Sequence, residues 1–297
     1  MAMSSNNPRL RALVAAVVLT LLGTGMAATT TPSSAAPAPA PAPAERAGAS
    51  YKVASLNLHN KLGVRAMRHD IRKVKRAGAT VIGLQERRKT KAQVKAALPA
   101  GWKLAMPTTA DGSDDNPIIW DSRVWKLHKA WPRLLAKRTW YRDGYGKRAI
   151  HQYAVMAVLE HRQSGHIIRA ASWHMPSEIQ ARNGGPNWRQ RDRVEAFWRM
   201  SRSLRNAIAA TPSGQQFTGM CDCNVSHGRD HSRLLLRGKL TRPSNLMNQY
   251  NTIGKKSGWQ IDYVMAKRKK PYVIGGWQVL HDLRTDHPSP VVRFVRR

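Results

Sequence analysis

Apolar positions along the chain recur with two periods, helical and extended, and stretches of the two kinds alternate. Val64, Met67, Ile71 and Val74 stand three and four residues apart, which predicts an amphipathic helix from Val64 to Arg76 that stops at Gly78. The uncharged run from Ala79 to Leu84 predicts a buried strand. A second helical stripe, Val194, Phe197, Trp198, Leu204 and Ile208, predicts a helix opening near Asn187, where Asn187 and Gln190 have capping-box spacing. Strand-like runs fall at Trp102 to Met106, Pro117 to Trp120, Ile261 to Met265 and Trp277 to Leu280. Gln152 to Glu160 and Ile167 to Trp173, joined through Arg162-Gln163-Ser164-Gly165, have the pattern of an antiparallel hairpin. Helices mixed with both hairpin and crossover connections predict an α/β chain with mixed rather than purely parallel sheets.

The first residues follow another pattern. Arg9 and Arg11 precede an apolar run from Ala12 to Leu22, then small residues to Ala28, which is the layout of a secretory signal over residues 1–28, with cleavage as late as Ala36. The run falls short of the ~20 apolar residues that a spanning helix needs, so no stable membrane insertion is expected. Residues 29–50 turn to Ala, Pro, Ser and Thr and read as an extended, disordered linker. Residues 51–297 contain no second linker and no repeat, and are read as one catalytic domain acting as a secreted monomer.

Charge changes the picture most. The chain has 50 Lys and Arg against 17 Asp and Glu, a formal net charge of +33. Such an excess opposes compaction and attracts polyanions, nucleic acid first among them. Within it the stretch Trp131 to Arg148 interleaves aromatics with cations, a composition suited to stacking on bases and pairing with phosphates, equally that of a solvated loop, and less so to an anionic membrane interface. Cys221 and Cys223 cannot supply a disulfide framework. Side chains at i and i+2 of a strand run parallel, so two buried thiols are expected rather than a bridge.

Against this background the scarce acids stand out by position. Six polar islands each close a strand-like run: Asn57, Glu86, His174, Asp222 with Asn224, Asp262, and Asp286 with His287. Phosphodiester cleavage needs a metal to neutralise phosphoryl oxygens, an oriented water and help for the leaving oxygen. Glu86, Asp286 and Asn57 offer the hard oxygen donors that suit Mg²⁺, with Mn²⁺ as a substitute. Asp222 and Asn224, two apart, point to one face of a strand. Asp262 is a natural orienting partner for His287. The other histidines read as surface or packing residues; His227 and His231 stand at helical spacing but lack a metalloprotease glutamate.

The ordered set resembles the endonuclease/exonuclease/phosphatase superfamily over Tyr51 to Phe294. Leu84-Gln85-Glu86 resembles its metal-binding glutamate motif, Asp222-Cys223-Asn224 its Gly-Asp-x-Asn motif and Thr285-Asp286-His287 its terminal Ser-Asp-His, with Asn57, His174 and Asp262 at the intervening positions. The resemblance implies a four-layer α/β sandwich, two mixed sheets face to face with helices outside, and a site at one sheet edge. It implies Glu86 as principal Mg²⁺ ligand with Asn57 and Asp286 beside it. It further implies acid-base and phosphate-stabilising work for His174 and His287, and positioning of water and phosphate by Asp222 and Asn224. Cys221 departs from the family's glycine. The carboxylate that braces the first histidine in deoxyribonuclease-like members has Asp115 as its candidate.

The expected function is a secreted Mg²⁺-dependent nuclease of broad sequence tolerance. The alternative is a phosphatase or sphingomyelinase-like phosphodiesterase on the same scaffold. A catalytically inactive polyanion binder is a third class, against which the intact set of polar residues argues.

Overall fold

The computed structural model describes residues 50–59, 62–86, 90–109, 112–143, 146–181, 187–225, 261–266 and 272–296, with side chains described outside 138–150. The leader, the linker before Ser50 and the His227 and His231 pair lie outside the described residues.

Two strand–helix–strand units carry the architecture. In the first, β1 (Ser50–Asn57) runs through α1 (Val64–Arg76) into the parallel strand β2 (Val81–Gln85). Met67, Ile71 and Val74 of α1 are buried, while Lys73, Lys75 and Arg76 sit where the helix dipole favours cations. Gly78 ends the helix at φ 92°, donating its N–H to Lys75 O, a conformation that costs glycine least. A short helix that periodicity did not predict, α2 (Lys91–Ala97), opens on a capping box between Thr90 and Gln93. β3 (Trp102–Ala105) and β4 (Ile118–Asp121) then complete one edge.

In the second unit, β7 (Ile167–His174) leads through α3 (Arg191–Ala209) to the parallel strand β8 (Gln215–Asp222). Asn187 makes no capping box there. Its Nδ2 donates to Glu178 O at 2.9 Å, and the chain enters α3 through a single 3₁₀ turn, Trp188–Gln190. Before β7, the strands β5 (Trp125–Asp143) and β6 (Gly146–His161) form a long hairpin over the aromatic and cationic stretch Trp131 to Arg148. Register shifts between Leu127 and Lys129 and again after Leu134 break its two-residue period, so alternation failed to reveal β5. β9 (Asp262–Ala266), β10 (Tyr272–Leu280) and β11 (Ser289–Arg296) follow.

The strands form two mixed sheets, β10-β11-β1-β2-β4-β3 and β5-β6-β7-β8-β9. Strand alternation divides their side chains among three cores. Tyr51, Val53, Val81, Val155, Ala157, Ala170, Met220 and Val264 fill the space between the sheets. Ala54, Leu56, Ile82 and Leu84 face Met67, Ile71 and Val74 of α1. Trp173, Phe217, Cys221 and Tyr263 face Val194, Phe197 and Met200 of α3. The result is four layers, helix, sheet, sheet, helix. Near the site the sheets approach so closely that a Cβ added at Gly83 would stand 2.5 Å from Met220 Cβ.

Cys221 and Cys223 form a disulfide rather than two thiols, with Cα atoms 5.3 Å apart. That separation is less than the ~6.6 Å two residues of extended strand span, so the chain between the cysteines departs from the geometry that would have held the two side chains parallel. Among the described residues no helix is long and apolar enough to cross a membrane.

Candidate active site

Strand direction gathers the polar islands. β1, β2, β7 and β8 all finish at one edge of the sandwich, β9 begins there, and the turn before β11 returns to it. Register sets His174 opposite Asp222, and Asp222 opposite Asp262. His59, Glu86 and Asn224 adopt positive φ values of 44°, 55° and 49°, a conformation that costs a non-glycine residue of order 1 kcal/mol and persists only where surroundings enforce it.

Asp222 is the hub. Its Oδ2 accepts from Asn57 Nδ2 at 2.9 Å and lies 3.2 Å from His174 Nε2, while Oδ1 accepts from the Asn224 N–H at 3.0 Å. Glu86 Oε1 stands 3.8 Å from His174 Nε2. Asn224 Nδ2 donates to Met175 O and also lies 2.8 Å from His174 Nε2. A neutral His174 can accept from Asn224, whereas a protonated one donates to Asp222 instead. Burial opposes the imidazolium, but the carboxylates of Asp222, Glu86 and Asp262 outweigh it and raise the His174 pKa. Burial likewise works against ionisation of Asp222, yet attraction to His174 and His287 and the Asn224 N–H hold its pKa below the ordinary value.

His287 Nδ1 donates to the fully buried Asp262 Oδ2 at 2.7 Å. Burial opposes charge on this ring too, but the hydrogen bond to Asp262 and its carboxylate push His287 up to about 9. Burial, then the neighbouring Asp222 carboxylate, raise Asp262. Both shifts describe one shared proton, and we assign it to the imidazole, because a carboxylate at 2.7 Å stabilises the ring cation directly.

One ligand atom each from Glu86, Asp222 and His287 lies within 4.8 Å of the others. A protonated His287 is a poor ligand, which leaves two hard carboxylates, a donor set that fits Mg²⁺ holding several waters. Asn57 spends Nδ2 on Asp222, and its Oδ1 accepts from the His59 N–H at 2.8 Å. Asp286 is exposed and contributes a favourable charge to His287. These two therefore flank the cluster. Among the described residues the carboxylates within ion-pair range of the His174 ring are Asp222 and Glu86, not Asp115.

Two supports escaped the sequence reading. Below the site Ser55 Oγ donates to Gln85 Oε1, Gln85 Nε2 to Ser172 Oγ, and Ser172 Oγ to Leu84 O, tying the two sheets together through a buried polar chain. Asp70 of α1, fully buried, accepts from the N–H groups of Arg284 at 2.8 Å and Thr285 at 3.0 Å, fixing the turn that presents Asp286 and His287. An acid lodged beside Met67, Ile71 and Val74 on the apolar face of a helix was the available signal.

No family model and no curated protein matches the sequence. Solved structures do match. An endonuclease/exonuclease/phosphatase protein of Bacteroides vulgatus superposes with TM-score 0.57 at 12% identity, covering 84% of this chain and all of the other. The fold is the endonuclease/exonuclease/phosphatase fold. On the same fold, D. rerio TDP2 in complex with a single-strand DNA product gives TM-score 0.59 at 13% identity, covering 82% of this chain and 98% of its own. A mannosyl-6-phosphatase of Bacteroides thetaiotaomicron gives 0.55 at 12% identity, covering 82% and 99%. The endonuclease/exonuclease/phosphatase fold thus accounts for the shared edge at which the six polar islands meet.

Proposed function

We propose that this chain is an exported, divalent-metal-dependent phosphodiesterase that cleaves nucleic acid with little sequence specificity. The observation that carries the reading is the convergence of Glu86, Asp222, Asn224, His174 and the Asp262–His287 pair at one sheet edge. Glu86 and Asp222 would hold Mg²⁺ or Mn²⁺, which supplies neutralisation of phosphoryl charge when bound. Asp222, kept ionised by its surroundings, orients the attacking water and attracts its proton. His287, charged through Asp262, donates to a phosphate oxygen as negative charge builds there. His174 and Asn224, in contact with each other, position the scissile phosphate on the opposite side of Asp222.

A polymer substrate is supported by charge and by shape. The net charge of +33 favours a polyanion. The β5–β6 hairpin continues from Ala154 to Gly146 beyond the last β6–β7 pair, Val155 with Ser172, and so overhangs the His174 end of β7. Its sequence there includes Lys137, Arg138, Arg142, Lys147 and Arg148. The base-stacking reading does not extend to Trp131, whose ring is already flanked by Lys129 at 5.5 Å and Arg169 at 5.8 Å. Export is supported by the signal-like residues 1–28 and by the Cys221–Cys223 bridge, a bond that persists in oxidising compartments.

The phosphatase reading draws on the mannosyl-6-phosphatase with the same fold. One assay separates the alternatives: purified protein with plasmid DNA, RNA, sphingomyelin vesicles and a sugar phosphate, each with Mg²⁺ and with EDTA. Metal-dependent cleavage of DNA or RNA is expected. Turnover of the sugar phosphate or lipid alone overturns the nuclease reading, and full activity in EDTA overturns the metal.

A further inference from the structure

We propose that Trp188, with Arg189 beside it, forms a subsite that stacks a nucleobase and pairs a backbone phosphate of single-stranded nucleic acid, a few nucleotides from the scissile bond. The inference rests on the nucleic-acid reading of the site. Among the described residues two large apolar side chains are exposed, Leu127 at 37% and Trp188 at 61%. An indole left in water forgoes the burial that makes aromatic side chains dominant contributors to cores and interfaces. A solitary exposed apolar residue needs no explanation in general, so position and neighbours decide.

Position ties Trp188 to the site. The chain leaving His174 runs through Met175 to Ile179, and Asn187 is fastened to it twice, its N–H donating to Ile179 O and its Nδ2 to Glu178 O, each at 2.9 Å. Arg193 clamps the same segment through Ser177 Oγ at 3.2 Å and Glu178 Oε2 at 2.6 Å. Five residues of chain from His174 to Ile179 reach at most ~18 Å, so the turn bearing Trp188 is held near the ring that contacts Asp222. The anchoring also pre-organises the indole, which lowers the entropic cost of using it as a platform.

The neighbours fit a nucleic-acid strand. Arg191 and Arg193 are paired with Glu195 and Glu178. Arg189 is exposed and, among the described residues, enters no ion pair. An exposed indole followed in the chain by an exposed guanidinium, with no ion pair among the described residues, suits the alternation of base and phosphate along one strand, and stacking tolerates any base.

The test compares wild type, Trp188→Ala and Trp188→Phe, as full chains with Mg²⁺, on a single-stranded oligodeoxynucleotide and on bis(p-nitrophenyl) phosphate, which has a scissile phosphate but no neighbouring nucleotides. Trp188→Ala is expected to raise KM for the oligonucleotide by about five- to a hundredfold, with kcat and small-diester turnover within about twofold of wild type. Trp188→Phe should recover most of the loss. Equal losses on both substrates would mean a structural role, and no change on either would mean no contact; each overturns the subsite while leaving the nuclease reading intact. A wild type that turns over the small diester yet neither binds nor cleaves the oligonucleotide overturns both. Weakened binding of Trp188→Ala to anionic phospholipid vesicles, with oligonucleotide kinetics unchanged, would assign the indole to a lipid surface instead.

Discussion

Glu86 carries both the strained backbone and the carboxylate on which the site depends. Its φ of 55° turns the chain out of β2 and brings the side chain to 3.8 Å from His174. Glu86→Gln preserves shape but removes a charge that the proposed metal ion would need. The expected outcome is a loss of about a thousandfold in kcat, with circular dichroism and melting unchanged. Asp262 and His287 make a second residue-level case, since the ring is charged because the carboxylate is 2.7 Å away. Each single alanine variant should lose much of kcat, and the double variant little more than the worse single, because the two act as a unit. Multiplicative losses measured in that cycle would refute the unit. Asp262→Asn guards against unfolding, as this carboxylate is fully buried.

At the scale of elements, α1 reaches into the site through Asp70. Replacing Asp70 by Ala leaves the Arg284 and Thr285 N–H groups without their acceptor, which should cost about 1–3 kcal/mol in urea unfolding. It should also lower kcat more than it raises KM, because the turn bearing Asp286 and His287 is loosened while the groups that face substrate remain. Asp70→Asn, which keeps oxygen in place, should retain more of both. A pure stability loss with unchanged kcat would make Asp70 structural only. Elements of regular period were legible in the sequence: α1, β2, the apolar stripe of α3 and the β6–β7 turn lie where apolar spacing put them. The polar islands were legible too, because acids are scarce in so basic a chain. What was not legible depends on departures from regular geometry. Bulges disguised β5, a departure from extended geometry between the cysteines brought them together, and the pairing of His174 with Asp222 rather than Asp115 follows from strand register. Asp70 was overlooked because its partners are backbone groups far along the chain.

For the whole molecule, acid should act through a histidine remote from the site. His166 is 7% exposed, stacks 3.9 Å from Tyr272, and its Nε2 has no hydrogen-bond partner among the described residues. Burial, then the neighbouring His161, push its pKa down from 6.5 to about 4. The unfolded chain therefore binds a proton between these values that the folded chain refuses, so this contribution to stability is present above pH 6.5 and lost as pH falls toward 4. Urea midpoints across that window should decline, and His166→Phe should flatten the decline. An unchanged slope in this variant would assign acid sensitivity to other groups.

The position of β1 also governs when activity can first exist. This opening strand lies inside its sheet, with β2 on one side and β11, the last strand, on the other. A ribosome delivers those partners at opposite ends of synthesis. Until Ser289–Arg296 has emerged, β1 presents an unpaired edge, β10 lacks the one strand it pairs with among the described residues, and the turn carrying His287 is held on one side alone. If the proposed activity is correct, a nascent chain of this topology is expected to stay silent until Ser289–Arg296 can pair with β1.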